Sequence, residues 1–387
     1  MEIGLFTDTL LPVVDGVGRV VLAYAENLPK LGAKTVVSAP LNHFGNRGGL
    51  PFDLIDYTSI NIPKIKQYKA GTPVLDLHYS RRIKRANLDI AHAHSPFVAG
   101  QESLRIAKAK GIPLIGTFHS KYYDDFYKAT HSETLSQALT SAVVSFYEKC
   151  DEVWAVSHST AKVLKSYGFT GDIQVMPNGV EIRSLDPKKI DEAEKKFNIG
   201  EKPLLLFVGQ MDLKKNILLV LKSVALLKKQ GVQFTLMLAG QGPDAKKIEE
   251  HIAELDIADC AKLIGHITDS ALLDALYSRA SLFVFPSVYD NAPMVLREAA
   301  VMKTPSVLMK GSDASEIIKD RENGFLCENN EERLCAVIKE ALSNPDKTAE
   351  IGIRASQSIP VSWSEVLTMA LERYEALAKR TDTKYRK

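Results

Sequence analysis

Phe285-Pro-Ser-Val-Tyr-Asp290-Asn-Ala-Pro293-Met-Val-Leu-Arg-Glu298-Ala-Ala300 reads as an apolar strand running through a proline-containing turn into a helix. The strand is Ser-Leu-Phe-Val-Phe at 281–285, and Asn291 followed by Pro293 is a helix-start signal, with Asn as cap and Pro tolerated in the first turn. A helix beginning near Ala292 leaves Asp290 in the turn and puts Glu298 nearly two turns in. The free amides of its first turn point back toward the strand end, where they and the helix dipole would stabilise an anionic phosphate. Taken alone, the same residues also fit a strand that merely ends at Asp290 and a Glu298 that is solvated.

Working outward, short apolar segments alternate with amphipathic helical stretches. Strands are expected at residues 3–6, 35–38, 90–94, 114–117, 152–156 and 173–176. After a turn-rich stretch from Asn178-Gly179, a second series follows at 204–208, 234–238, 261–264, 282–285 and 305–308. This alternation predicts an α/β protein with two Rossmann-like parallel sheets facing a cleft. The expected domains are 1–185, 186–362 and a C-terminal segment, 363–387. Within that segment, apolar residues at Val366, Leu367, Ala370, Tyr374 and Leu377 require a surface for a helix to bury against, and the polar tail from Arg380 is expected to fray.

Composition limits the choices further. A chain of 387 residues suggests two cores, and a formal net charge of +2 offers no argument for nucleic acid. Cys150, Cys260, Cys327 and Cys335 have no metal-ligand spacing, so they are expected to be reduced thiols of a cytosolic protein. The N-terminus looks like a core strand and not an export signal, and no apolar run approaches the ~20 residues of a spanning helix. Any membrane contact is therefore expected to be peripheral, at the inner face of the cell membrane.

Several strand ends carry candidate chemistry. Gly16 and Gly18 open a helix whose amides could approach a phosphate, but Val21 breaks a dinucleotide fingerprint and no P-loop exists. His119 follows the strand at Leu114, where a residue just past a carboxyl end points into the crevice. Gly209, Gly240 and Gly265 each end a strand, and Lys215 follows Gly209 by six residues. His92 and His94 share one strand face and could ligate a metal, but no third ligand stands at a convincing spacing. A core role is the better reading of this pair, and no essential metal is expected.

Together, Phe6-Thr-Asp-Thr-Leu-Leu-Pro12 with Gly16, the flanks of His119, Gly209…Lys215, Met176-Pro-Asn-Gly179 and Asp290…Glu298 resemble the retaining glycosyltransferases of family four, also called glycosyl transferases group 1, which have the GT-B fold. The resemblance covers nearly the whole chain. It implies a C-terminal helix that crosses back to the first domain. It also implies a nucleotide diphosphate sugar as donor, with no tightly bound cofactor. Residue by residue, Gly16 and the helix start Pro293-Met294-Val295 would cradle the diphosphate, Lys215 would stabilise the leaving charge and Glu298 would hold the ribose. Asp290 and His119 would contact the donor sugar, and Gly209, Gln210, Gly240 and Gly265 would line the nucleotide pocket. Two positions depart from the family pattern: Gln210 replaces an Arg, removing a cation that Lys214 or Arg297 could restore, and Asp290 replaces a Glu.

The opening sequence looks like bacterial enzymes that glycosylate diacylglycerol, which implies a lipid acceptor and UDP-glucose as donor. Residues 63–86 fit that expectation, with Lys64, Lys66, Lys69, Arg81, Arg82, Lys84 and Arg85 against the single acid Asp76 and interleaved apolar residues. This mixture suits an anionic bilayer. It equally suits a solvated basic loop and helix. The alternatives to lipid glycosylation are a hexosyltransferase acting on a soluble or polysaccharide acceptor, or a catalytically weak sugar-nucleotide-binding module.

Overall fold

The structure is a computed structural model that describes residues 1–10, 15–40, 50–62, 65–380 and 382–385; of residues 61, 62 and 65–70 only the backbone is described. The chain forms two compact units, Met1–Asn178 with Trp363–Lys387, and Gly179–Ser362.

The first unit contains β1 (Glu2–Phe6), β2 (Lys34–Pro40), β3 (Asp53–Tyr57), β4 (Ser59–Ile62), β5 (Ile65–Gly71), β6 (Ile90–Ala93), β7 (Leu114–Phe118), β8 (Glu152–Ala155) and β9 (Ile173–Val175). Among the described residues, seven of these form a parallel sheet in the order β3-β2-β1-β6-β7-β8-β9, and β4 and β5 make an antiparallel pair of their own. All four residues of β6 and all five of β7 are buried, as expected for strands covered on both faces by crossover helices. Strand order reverses between β1 and β6, so the loops after these two strands diverge and leave room at their carboxyl ends.

The helices begin where side chains can satisfy their first amides. Asp15 caps the helix Gly16–Asn27 by accepting from Gly18 N at 2.7 Å, and Asp76 caps Leu77–Arg85 by accepting from Tyr79 N at 2.9 Å.

The second unit contains β10 (Leu204–Val208), β11 (Thr235–Ala239), β12 (Ala261–Gly265), β13 (Leu282–Val284), β14 (Ser306–Met309) and β15 (Phe325–Cys327). They form a six-stranded parallel sheet, β12-β11-β10-β13-β14-β15, whose order reverses between β10 and β13. Leu204 to Phe207 are fully buried, and Leu282 to Val284 likewise, so the two central strands lie in the middle of the core.

The C-terminal helix, Trp363–Lys379, returns to the first unit and buries Trp363, Val366, Leu367, Ala370, Tyr374 and Leu377 there. Arg373 holds Glu152 of β8 with two hydrogen bonds of 2.8 and 2.9 Å. Beyond Arg380, residues 382–385 make contacts with the first unit. Thr383 is buried, Lys384 N donates to Asp151 Oδ1 at 2.6 Å, and the Tyr385 hydroxyl donates to the Lys149 carbonyl at 2.6 Å. Polar residues here fill hydrogen-bonding vacancies at the end of a helix and a strand, which composition alone does not reveal.

Candidate functional site

In the second unit, the expected donor-binding residues gather at the β10/β13 switch point. Asp212 accepts from Lys214 N at 2.9 Å and so starts a short 3-10 turn, Leu213–Lys215, which aims the two lysines. Asn216, held in the left-handed region at φ 60°, donates from Nδ2 to the Pro286 carbonyl at 3.2 Å and ties the β10 loop to the β13 loop. In that second loop the buried Ser287 hydroxyl accepts from the amides of Tyr289 and Asp290, each at 3.3 Å. The result is an ion pair between Lys215 Nζ and Asp290 Oδ1, with side chains only 14% and 19% exposed. Asp290 Oδ2 is buried and has no hydrogen-bond partner among the described residues.

Three glycines stand at the carboxyl ends of β10, β11 and β12. Gly209 N donates to the Ala239 carbonyl at 3.0 Å, and Gly240 N donates to the Gly265 carbonyl at 2.8 Å, so the ends of β10, β11 and β12 are stitched together. Gly240 has φ +144°, and a Cβ there would stand 1.8 Å from the Gly209 carbonyl oxygen. No other residue type fits that approach.

The helix beyond Asp290 is Met294–Val301, with Pro293 at its N-cap and no side-chain cap. This corrects the expected start near Ala292 and the expected cap at Asn291. Ser287 organises the turn instead, and Pro293 has no amide to be capped. Glu298 consequently lies little more than one turn in. It is 7% exposed, and its Oε2 accepts from the Tyr277 hydroxyl at 3.3 Å, so it is no solvated surface acid.

The two candidates to replace the missing cation at exposed Gln210 separate clearly. Arg297 is buried and donates to the Ile359 carbonyl, and burial holds its pKa below the ordinary value. Lys214 instead places Nζ 5.7 Å from the centroid of the Tyr289 ring, the same ring that Lys215 Nζ approaches at 5.6 Å. Sequence reading passed over Tyr289; its one signal is that it directly precedes Asp290.

In the first unit, Gly16 is the first residue of its helix, and no heavy atom of the described residues lies within 4 Å of where a Cβ on it would stand. His119 lies just past β7 and is 8% exposed; burial pushes its pKa down to about 3. Its Nε2 lies 3.2 Å from His94 Nδ1, and the two rings stack at 5.5 Å. His92 and His94 are both fully buried, which also lowers both pKa values. His92 is engaged on both nitrogens, by the Tyr374 hydroxyl at 2.6 Å and Thr117 Oγ1 at 2.7 Å.

Asp8 escaped the sequence reading although it stands just beyond β1 at the switch point. Its Oδ2 accepts from Ser95 Oγ at 2.6 Å and its Oδ1 from Ala99 N at 2.9 Å. Burial raises its pKa in spite of those bonds. Residues 11–12 of the opening motif lie outside the described residues.

Two parallel α/β units, a lysine–carboxylate pair at a switch point, buried Glu298 and interlocked glycine loops define a GT-B glycosyltransferase, and comparison with known proteins agrees. Residues 14–184 match the model for Glycosyltransferase Family 4, and residues 189–358 match Glycosyl transferases group 1; the chain belongs to this family. Among curated relatives, the alpha-monoglucosyldiacylglycerol synthase of Streptococcus pneumoniae is 26% identical over 89% of this chain and 79% of its own. The GDP-mannose-dependent alpha-mannosyltransferase of Corynebacterium glutamicum is 25% identical over 84% and 76% respectively. Among solved structures, Anabaena HepE in complex with UDP-glucose aligns with TM-score 0.76 at 18% identity, over 97% of this chain and all of that one.

Among the described residues, no group of acids, histidines and cysteines is placed to hold a metal ion, and no helix is long and apolar enough to cross a membrane.

Proposed function

We propose that this glycosyltransferase is a retaining hexosyltransferase that moves glucose from UDP-glucose to the hydroxyl of a membrane lipid such as diacylglycerol. The observation that carries this reading is the Lys215–Asp290 pair with its unpartnered Oδ2. It offers a cation for a diphosphate and an acceptor oxygen for a sugar hydroxyl at one point. The S. pneumoniae relative, whose name specifies a glucosyldiacylglycerol, supports the acceptor.

In this reading Lys215 and the helix start Pro293-Met294-Val295 stabilise the diphosphate as charge develops, assisted by the Gly16 amide. Lys214, held beside Lys215 by Tyr289, supplies the cation that Gln210 lacks. Glu298 accepts from the ribose hydroxyls, while Gly209, Gly240 and Gly265 let the nucleotide pack on backbone. Asp290 and His119 hold the sugar. The acceptor oxygen attacks the anomeric carbon on the face from which the phosphate departs. The bond to the diphosphate oxygen breaks, that oxygen takes the acceptor proton, and UDP leaves. No protein nucleophile is needed.

The face that meets the bilayer is the segment around Leu77–Arg85. Tyr79 and Ile83 anchor this helix in the core, and Arg82 is turned inward to the Leu54 carbonyl at 2.9 Å. Val74, Leu75 and Leu77 are left 67–80% exposed beside exposed Arg81, Lys84 and Arg85. Apolar side chains next to cations suit insertion among anionic headgroups. Lys64 lies outside the described residues, and of Lys66 and Lys69 only the backbone is described.

The deciding experiment measures nucleotide release from UDP-glucose, other UDP-sugars, ADP-glucose and GDP-mannose, with and without anionic vesicles containing diacylglycerol, using Glu298→Ala as the control. Release from UDP-glucose that rises with diacylglycerol vesicles is expected. Release indifferent to vesicles would replace the lipid with a soluble or polysaccharide acceptor. Donor binding without turnover on any acceptor would leave only the binding module.

A further inference from the structure

His92, His94 and His119 form a buried series in the first unit that the proposed chemistry uses only at its last member. His92 is fixed by two hydroxyls, from Tyr374 on the C-terminal helix and Thr117 on β7. His94 packs on it with ring centroids 4.1 Å apart, and Tyr24 meets His94 edge-on at 5.3 Å. Then His94 Nδ1 meets His119 Nε2 at 3.2 Å.

That last contact permits one proton and no more. Two N–H groups facing each other would clash, and two lone pairs would repel, so the protonation of one ring dictates that of the other. His92 and Tyr24, which pack against His94, and Tyr374, which packs against His92, are neutral at neutral pH, because burial lowers the pKa of His92 and raises those of both tyrosines. His94 Nε2 decides where the proton sits. It is buried and has no hydrogen-bond partner among the described residues. A buried donor without an acceptor is rarer and costlier than an unfilled acceptor. The proton of His94 therefore belongs on Nδ1, from which it is donated to His119 Nε2, and His119 must carry its own proton on Nδ1.

We propose that His94 is the positioning residue of His119, locking that ring in one orientation and in the neutral Nδ1–H tautomer, so that His119 cannot act as a base through Nε2. The assignment of sugar contact to His119 rests on the function proposed above; the tautomer lock does not.

Long-range nitrogen–proton correlation spectra of the full-length protein, labelled with 15N at histidine, test it without any turnover. The His119 signal, assigned by its loss in His119→Gln, is expected to show the Nδ1–H pattern unchanged from pH 8 to pH 6. In His94→Phe the signal should move to the averaged pattern of two exchanging tautomers. His94→Asn, whose Nδ2 can stand where Nδ1 stood, should restore it. A wild-type His119 protonated on Nε2, or titrating near pH 6.5, overturns the proposal whether or not the variants fold. So does a His119 signal that His94→Phe leaves unchanged. If the lock holds while no sugar donor is ever turned over, only the functional reading falls.

Discussion

The two switch points are built from the same topology but filled with opposite chemistry. At β1/β6 the first unit buries neutral imidazoles and an Asp8 whose hydrogen bonds are all internal. At β10/β13 the second unit keeps a charged pair, half of one carboxylate unsatisfied, within reach of solvent. A buried neutral ring gives direction without charge, whereas a partly exposed lysine gives charge that must remain able to change partners. In the proposed function, the first unit orients the donor sugar and the second neutralises the diphosphate.

The largest effect is expected at Gly240, because the second site depends on backbone that no side chain may enter. Gly240→Ala puts a methyl group 1.8 Å from the Gly209 carbonyl oxygen at φ +144°. A loss of more than about 3 kcal/mol of stability is expected, combining a forbidden backbone conformation with a main-chain clash. Chemical denaturation measures it. A variant of wild-type stability would mean that the β10 and β11 loops are loosely joined and that the glycine frame does not set the site.

Next come the charges themselves. Lys215→Ala and Glu298→Ala are each expected to lower turnover by about tenfold to a thousandfold, the range for one lost electrostatic or positioning interaction. Lys214→Ala should chiefly raise the donor KM, and Gln210→Arg in that background should lower it again. Steady-state kinetics against UDP-glucose separates these outcomes, and wild-type constants for Lys215→Ala would erase the contrast between the two units.

Acid distinguishes the units in a third way. The folded pKa of His119, about 3, lies below the ordinary 6.5, and His92 and His94 are lowered too. Between those values the unfolded chain binds more protons than the folded one. Stability from these groups is therefore fully present above about pH 6.5 and drains away as pH falls, by about 1.4 kcal/mol per pH unit for each fully shifted group. The second unit's own histidines, His251 and His266, are not buried. Its lowered acids, such as Asp269 and Glu340, give contributions that are lost only below the ordinary carboxylate range. Hydrogen exchange followed at pH 7, 6 and 5 should find the first unit opening well before the second. Equal loss in both would show that the histidines are less shielded than their burial indicates.

How much of this could be read from the chain depended on distance along it. Alternating apolar segments announced both sheets, because central parallel strands such as Leu204–Val208 are apolar on both faces. The edge strand Asp53–Tyr57 is short and interrupted by two acids, Phe325–Cys327 is only three residues long, and Ile65–Gly71 carries two lysines, so all three were passed over. Spacing singled out Lys215, Asp290 and Glu298 within single loops or turns. That Lys215 meets Asp290, 75 residues away, or His94 meets His119, 25 away, follows only once β10 lies beside β13 and β6 beside β7. Asn291 misled for the opposite reason: a local cap signal lost to Ser287, whose hydroxyl had already taken the turn.

The smallest expected effect marks where the first unit's rigidity ends. Tyr374→Phe removes the hydroxyl that meets His92 Nδ1 and leaves the ring in place. A loss of about 1 kcal/mol is expected, since one buried hydrogen bond goes while the packing of the C-terminal helix stays. His119 should keep its tautomer, because His92 reaches His94 through a ring stack and not through a shared proton. Thermal unfolding and the same nitrogen spectra read both quantities. A His119 signal that shifts in Tyr374→Phe would show that ring stacking alone transmits orientation from the C-terminal helix to the end of β7. The histidine series would then begin at residue 374 and not at residue 94.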